Sequence, residues 1–219
     1  LKAQPEIRIK SVYSHLVEAE NSYDKRFSSH QILSFKKAVN KLSAELNYGF
    51  DTHIQNSAGI VQFGDINCSM VRLGIGMYGI SPMAAIQPQL SPVLEWYSTI
   101  SQIKSIDKGQ SIGYNRSFVA KQPMQIATIP VGYADGLRRS LSNEVGQLFV
   151  HGKACPIVGK VCMDMVMIDI TSVACSVGDE VEIIGPHQSI DTFARLIDTI
   201  PYEVMTSIAP RVHRLYVEK

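Results

Sequence analysis

Residues 82–92 hold three prolines and no charged side chain, and they divide the chain into two sequence textures that no single layer of structure can satisfy. Before this stretch, apolar residues recur at helical spacing between short β-prone runs. Residues 7–15 begin with apolar and polar side chains in alternation, which predicts a strand ending at His15. Residues 27–46 place Ile32, Phe35, Val39, Leu42 and Leu46 on one face, with Ser28 or Ser29 as cap: a helix. Gly49 marks a break, 52–54 a short strand, and Asn56 or Ser57 the cap of a second helix. Residues 71–78 read as another strand. Strand, helix, strand, helix, strand is the order of βαβ units around a parallel sheet.

After the prolines the runs shorten and become β-prone throughout: 93–106, 125–131, 147–150, 154–158, 165–170, 180–184 and 212–217. Turn signals separate them, among them Lys108-Gly109, Asp135-Gly136, His151-Gly152 and Gly178-Asp179. Many short strands at this spacing predict a closed or nearly closed β-barrel. One helix interrupts it, starting at Ser189 with Ile190, Phe193, Leu196 and Ile197 apolar. The expected fold class is therefore α/β plus all-β, with domains at 1–85 and 86–219.

Composition narrows the function classes. A net charge of +1 exerts no bulk pull toward nucleic acid or anionic lipid. No apolar run approaches the roughly 18 residues that span a bilayer. The four cysteines show no Cys-x-x-Cys spacing, so buried reduced thiols in a cytoplasmic protein are expected and a metal site is not. The start at Leu1 carries neither a Met nor a signal-like apolar stretch, and it reads as the interior of a longer protein.

Six polar features fall at strand ends, helix starts or glycine turns. His15 ends a strand. Ser57 lies where a helix start offers N–H groups to an anion, or where it simply caps. Arg72 interrupts an apolar run, and a guanidinium there needs a partner or an exposed edge. The β region adds three loops: Gly113-Tyr114, Gly132-Tyr133-Ala134-Asp135-Gly136 followed by Arg138 and Arg139, and Gly159-Lys160-Val161-Cys162-Met163-Asp164. Each of these loops, read alone, is an ordinary hairpin turn.

Together, in order, these segments resemble the alanine racemase family. The resemblance runs through Tyr-Ser-His at 13–15, Asn-Ser-Ala at 56–58 and Val-Arg-Leu-Gly-Ile-Gly-Met-Tyr-Gly at 71–79. It continues through Gly-Tyr at 113–114, Gly-Tyr-Ala-Asp-Gly at 132–136 and Pro-Ile-Val-Gly-Lys-Val-Cys-Met-Asp at 156–164. Val-Gly-Asp-Glu-Val at 177–181, Tyr-Glu-Val at 202–204 and Pro-Arg-Val at 210–212 complete it.

The resemblance implies the last strands of a TIM (β/α)8 barrel over 1–85 and a β-barrel-like domain over 86–219, in a head-to-tail homodimer with shared sites. It implies pyridoxal 5'-phosphate (PLP) as cofactor and interconversion of L- and D-alanine through a PLP aldimine, supplying D-alanine for peptidoglycan. It places His15, Ser57, Arg72, Gly74, Ile75 and Tyr202 around the cofactor, Tyr114 as the acid/base at the substrate Cα, and Met163 on the substrate carboxylate. Tyr133, Arg139, Lys160 and Asp164 resemble entrance residues. Lys160 stands where family members often carry Arg, which turns a fork of donors into a point charge. The family's Ala-x-Val-Lys-Ala lysine and the arginine that steadies the substrate carboxylate have no counterpart in these 219 residues. The same resemblance allows a broader serine or lysine racemase, and the β region alone allows a non-catalytic dimerisation module.

Overall fold

The computed structural model describes residues 4, 6–21 and 23–218, and the chain divides into two compact units, 1–93 and 94–219. In the first unit, strand β1 (Ser11–Tyr13) runs into the long helix α1 (Arg26–Glu45), which returns to strand β2 (Asp51–His53). β1 and β2 pair in parallel, with Val12 opposite Thr52 and Tyr13 opposite His53. A parallel pair needs such a crossover, and the apolar stripe of α1 supplies its cover. Ile32 and Phe35 are buried against Leu16, Ala19, Ile54, Ala58 and Ile66, with Val39 packed beside them. α2 (Ser57–Phe63) follows, capped by Asn56, whose side chain accepts the Gly59 N–H.

Two expectations fail here. Neither Ser28 nor Ser29 caps α1: the cap position is Lys25 and Ser28 is buried. Residues 71–78 are not a strand. The Met70 and Arg72 N–H groups bond to Thr52 and Gln55 carbonyls, but Gly74 then turns the chain (φ −110°, ψ −108°) into a 3-10 turn, Ile75–Tyr78. Closely spaced glycines defeat an apolar run whose composition favours a strand.

The second unit is built from β3 (Trp96–Thr99), β4 (Gln102–Ile106), β5 (Ser111–Ile112), β6 (Phe118–Val119), β7 (Met124–Ile129), β8 (Gln147–Val150), β9 (Lys153–Pro156), β10 (Val166–Asp169) and β11 (Glu180–Ile184). The sheet orders are β10-β7-β4, β3-β11-β8-β9 and β5-β6, with antiparallel ladders. An Ile157–Ile168 bridge carries the chain beyond β9 onto β10, so the two larger sheets adjoin in a barrel-like arrangement. Leu148, Ile157, Ile168, Ile170 and Ile183 fill the interior. β8 and β9 join through His151 and Gly152, both at positive φ, the geometry that a two-residue hairpin with right-handed strand twist demands.

α3 (Ile190–Leu196) starts where expected, with Ser189 accepting the Thr192 N–H at 3.1 Å. α4 (Pro201–Ser207) was not anticipated, although Pro at its first position is a helix-start signal. Residues 212–217 form no strand. Arg214 instead donates to the carbonyls of Ile208, Ala209 and Val212, which ties that segment to itself.

The four cysteines are free thiols, and of these only Cys155 is fully buried; Cys68, Cys162 and Cys175 are half-buried. Burial pushes the Cys155 thiol up to about 11, with Cys175 adding to the effect. At pH 8 its thiolate fraction is then roughly 100-fold below that of a free thiol. Iodoacetamide is expected to label Cys162 and Cys68 well before Cys155, read by peptide mass spectrometry; Cys155 reacting first would contradict its burial. The unfolded thiol loses its proton near its ordinary 9.0, below the folded value. This contribution to stability is therefore intact below that pH and lost as pH climbs to about 11.

Candidate active site

Parallel strands end on the same side, and the loops that follow them are where such folds place functional groups. At the ends of β1 and β2 the rings of Tyr13 and His53 stack, 5.1 Å apart and 5° from parallel. His15 lies two residues past Tyr13, with its ring exposed. The Arg72 guanidinium lies 5.6 Å from the Tyr13 ring centre and donates from Nη2 to the Ser14 carbonyl at 3.1 Å. That commits one of its five donors, and the side chain remains exposed.

Asn56 caps α2, so the Ser57 hydroxyl is free for another role. It accepts the Gly74 N–H at 2.9 Å and the Gly76 N–H at 3.2 Å. Backbone donors of the 74–76 turn thus already converge on one oxygen. A Cβ on Gly76 would come to 3.0 Å from Leu73 Cδ1 and 3.5 Å from Ser57 Oγ, so glycine keeps this cradle open. Backbone N–H groups converging on one hydroxyl oxygen, with a guanidinium nearby in sequence, mark a place where a phosphate oxygen could take that position.

In the second unit the three loops singled out in the sequence meet. Tyr114 opens a 3-10 turn, Tyr114–Arg116, and is 71% exposed. Gly113 precedes it at φ 75°, and Asn115 and Arg116 follow in the left-handed region at φ 58° and 51°. Consecutive non-glycine residues there are uncommon and are held by their surroundings. A Cβ on Gly113 would sit 3.1 Å from the Lys160 backbone nitrogen, and one on Gly159 would sit 3.2 Å from the Ile112 carbonyl oxygen. The Tyr114 loop therefore lies backbone to backbone on the 159–164 bend.

The 132–136 loop lies on the same bend. The Tyr133 N–H donates to the Cys162 carbonyl and the Ala134 N–H to the Met163 carbonyl, each at 3.0 Å. The Asp135 carboxylate is nearly buried and takes the Gly132 N–H at 2.8 Å. Its other oxygen receives the Arg211 Nε at 2.7 Å, while Arg211 Nη2 reaches Asp164 at 2.6 Å. These two carboxylates hold the Arg211 guanidinium charged well above its usual range.

Tyr114, Tyr133, Lys160, Met163 and Asp164 thus belong to one assembly of loops. Arg139 opens a separate 3-10 turn, Arg139–Leu141, and its neighbour Arg138 pairs with Glu203 of α4. Tyr202 lies in the first turn of α4 in the second unit, whereas His15, Ser57, Arg72, Gly74 and Ile75 belong to the first. Sequence reasoning assigned no role to Asp135, Arg211 or Tyr13. A carboxylate inside a glycine-bounded turn and a distant arginine of opposite charge were the available signal. Among the described residues no group of three or more His, Cys, Asp and Glu is placed to hold a metal ion, and no helix is long and apolar enough to cross a membrane.

Residues 93–216 match the family description "Alanine racemase, C-terminal domain" and residues 1–82 match "Alanine racemase, N-terminal domain". Alanine racemase of Clostridium tetani is 36% identical over 99% of this chain and 58% of its own length. That of Halothermothrix orenii is 39% identical over 97% and 58%. Among solved structures, the Bartonella henselae alanine racemase with covalently bound pyridoxal phosphate has a TM-score of 0.86 at 34% identity, covering 97% of this chain and 58% of that one. The Bacillus anthracis enzyme with bound L-Ala-P has a TM-score of 0.88 at 33% identity, covering 97% and 56%. The chain spans a little over half the length of these relatives. Their shared fold is the one expected here, barrel strands followed by a β-barrel-like domain. The chain belongs to the alanine racemase family.

Proposed function

We propose that this chain is the C-terminal portion of an alanine racemase that interconverts L- and D-alanine with PLP, in the cytoplasm, as a head-to-tail homodimer whose copies share their sites. Residues 1–85 contribute barrel strands and the cofactor cradle, and 86–219 the β domain. The observation that carries this reading is the Ser57 hydroxyl receiving two backbone N–H groups of the 74–76 turn, a ready cradle for a phosphate.

On this reading Ser57, Gly74 and Ile75 would hold the phosphate, the Tyr202 hydroxyl would be a further cofactor ligand, and His15 and Arg72 would hold the ring, Arg72 through its pyridine nitrogen. An arginine there leaves that nitrogen without a proton, because a guanidinium does not give one up. PLP supplies an electron sink that makes the proton on the substrate Cα acidic. The Tyr114 phenol takes or returns that proton on one face, and a lysine contributed by the preceding barrel segment serves the other. A phenol with an ordinary pKa of about 10 needs cationic neighbours to act as a base near neutral pH. The Met163 N–H holds the substrate carboxylate. Tyr133, Arg139, Lys160 and Asp164 shape the entrance.

The test is made on two proteins. The full-length enzyme with PLP is expected to convert L-alanine to D-alanine, seen by chiral chromatography, and to act on serine or lysine more slowly. Turnover of serine or lysine exceeding that of alanine would replace the assignment with a broader racemase. No turnover of any amino acid, with a dimer still formed, would leave a dimerisation module. The 219 residues alone are expected to be inactive. Borohydride reduction with PLP should then leave no pyridoxyl group at one defined lysine; such a group, with turnover, would overturn this expectation.

A further inference from the structure

The Met163 N–H has no acceptor among the described residues, yet its direction is fixed. Its peptide unit is the Cys162–Met163 link, whose carbonyl accepts the Tyr133 N–H. In a trans peptide the N–H points opposite to the C=O, so tying the carbonyl to the 132–136 loop aims the N–H away from it. The next peptide repeats the arrangement, with the Met163 carbonyl held by Ala134. The bend therefore presents backbone N–H toward an incoming anion only while it stays pressed on the glycine loop.

One side chain binds the two loops together. Arg211 joins Asp135, which folds the glycine loop through the Gly132 N–H, to Asp164, the residue after Met163. The Ala209 N–H adds a second tie by donating to the Asp135 carbonyl at 3.0 Å. Asp164 has a further consequence. Its carboxylate is half-exposed and one residue from the N–H that would receive a substrate carboxylate. Unpaired, it would repel that ligand; beside Arg211 its charge is offset.

We propose that Arg211 is a positioning residue for carboxylate binding: it clamps the 132–136 loop to the 162–164 bend and neutralises Asp164, so that the Met163 N–H can donate to an anion. This rests on the assignment of the substrate carboxylate to Met163. Arg211 touches neither substrate nor cofactor, and it acts on ground state and transition state alike.

Arg211→Gln and Arg211→Lys, made in the full-length enzyme, test this. Removing uniform binding raises KM and leaves kcat nearly unchanged. For Arg211→Gln, KM for alanine is expected to rise about tenfold or more with kcat within about threefold. Lysine restores charge but not the two-armed reach, so Arg211→Lys should fall between Gln and the parent. The inhibition constant of acetate, a bare carboxylate, should rise in parallel, since no Cα chemistry enters that measurement. Should Arg211→Gln fail to fold, judged by thermal unfolding, Arg211→Lys and acetate carry the test. Unchanged KM and acetate affinity, or a fall in kcat at constant KM, would overturn the proposal. A parent enzyme that racemises alanine while these variants show no KM effect refutes the role of Arg211 alone; a parent with no alanine turnover refutes the underlying function.

Discussion

Replacing Tyr114 with phenylalanine in the full-length enzyme is expected to lower kcat for alanine by ~10²–10⁴, the usual loss when a positioned acid/base group is removed. The ring is retained, so packing of the turn against Lys160 is preserved and the loss reports the hydroxyl. The two enantiomers have equal free energy, so kcat/KM must fall equally for racemisation in both directions. The asymmetry shows elsewhere. In D2O, the variant should still exchange the Cα proton of one enantiomer, handled by the opposite-face base, while exchange from the other is lost. Proton NMR of the two alanine enantiomers distinguishes these. Racemisation within about threefold of the parent, or equal loss of exchange from both enantiomers, would remove Tyr114 from the one-face acid/base role.

The second large effect is structural. Gly132→Ala would place a Cβ 2.3 Å from the Met163 carbonyl oxygen and 2.4 Å from the Cys162 carbonyl oxygen. Both are backbone atoms, so no rotamer change relieves the clash and the two loops must part. That breaks the Tyr133 and Ala134 hydrogen bonds, each worth about 1 kcal/mol, and adds an overpacking cost of about 1–3 kcal/mol. A loss of roughly 3–5 kcal/mol is expected in urea unfolding of the second unit. Gly49→Ala is the control. Nothing lies within 4 Å of its added Cβ and its φ is not in the left-handed region. There the change should be neutral, or stabilise by about 0.4–1 kcal/mol. Equal unfolding midpoints for Gly132→Ala and the parent would show that the loops are not in the contact described.

Much of the fold was legible because burial imposes a period. The stripe through Ile32, Phe35 and Val39 predicted α1 within a residue of its ends, and turn glycines with real positive φ marked the β hairpins. Local composition failed where a glycine or a missing ladder partner decided the outcome. Residues 71–78 look like a strand, but Gly74 and Gly76 hand their N–H groups to Ser57. Residues 212–217 are β-prone, but Arg214 satisfies nearby carbonyls in their place. The candidate site divides in the same way. The residues proposed to carry the chemistry stood in recognisable motifs. The Asp135–Arg211–Asp164 link spans 76 residues between the first pair, and no periodicity reports a contact of that separation.

The close approach at Gly113, Gly132 and Gly159 bears on how the protein can change over generations. Three loops meet there backbone against backbone, and a side chain introduced between them meets main-chain atoms. On the proposed function, adaptation to a bulkier substrate would be closed to changes at the glycines and open at side chains carried by the same loops, the exposed Tyr133 and half-exposed Lys160 foremost. Variation in substrate range is expected to accumulate at those tips while the interlocked turns beneath them stay as they are.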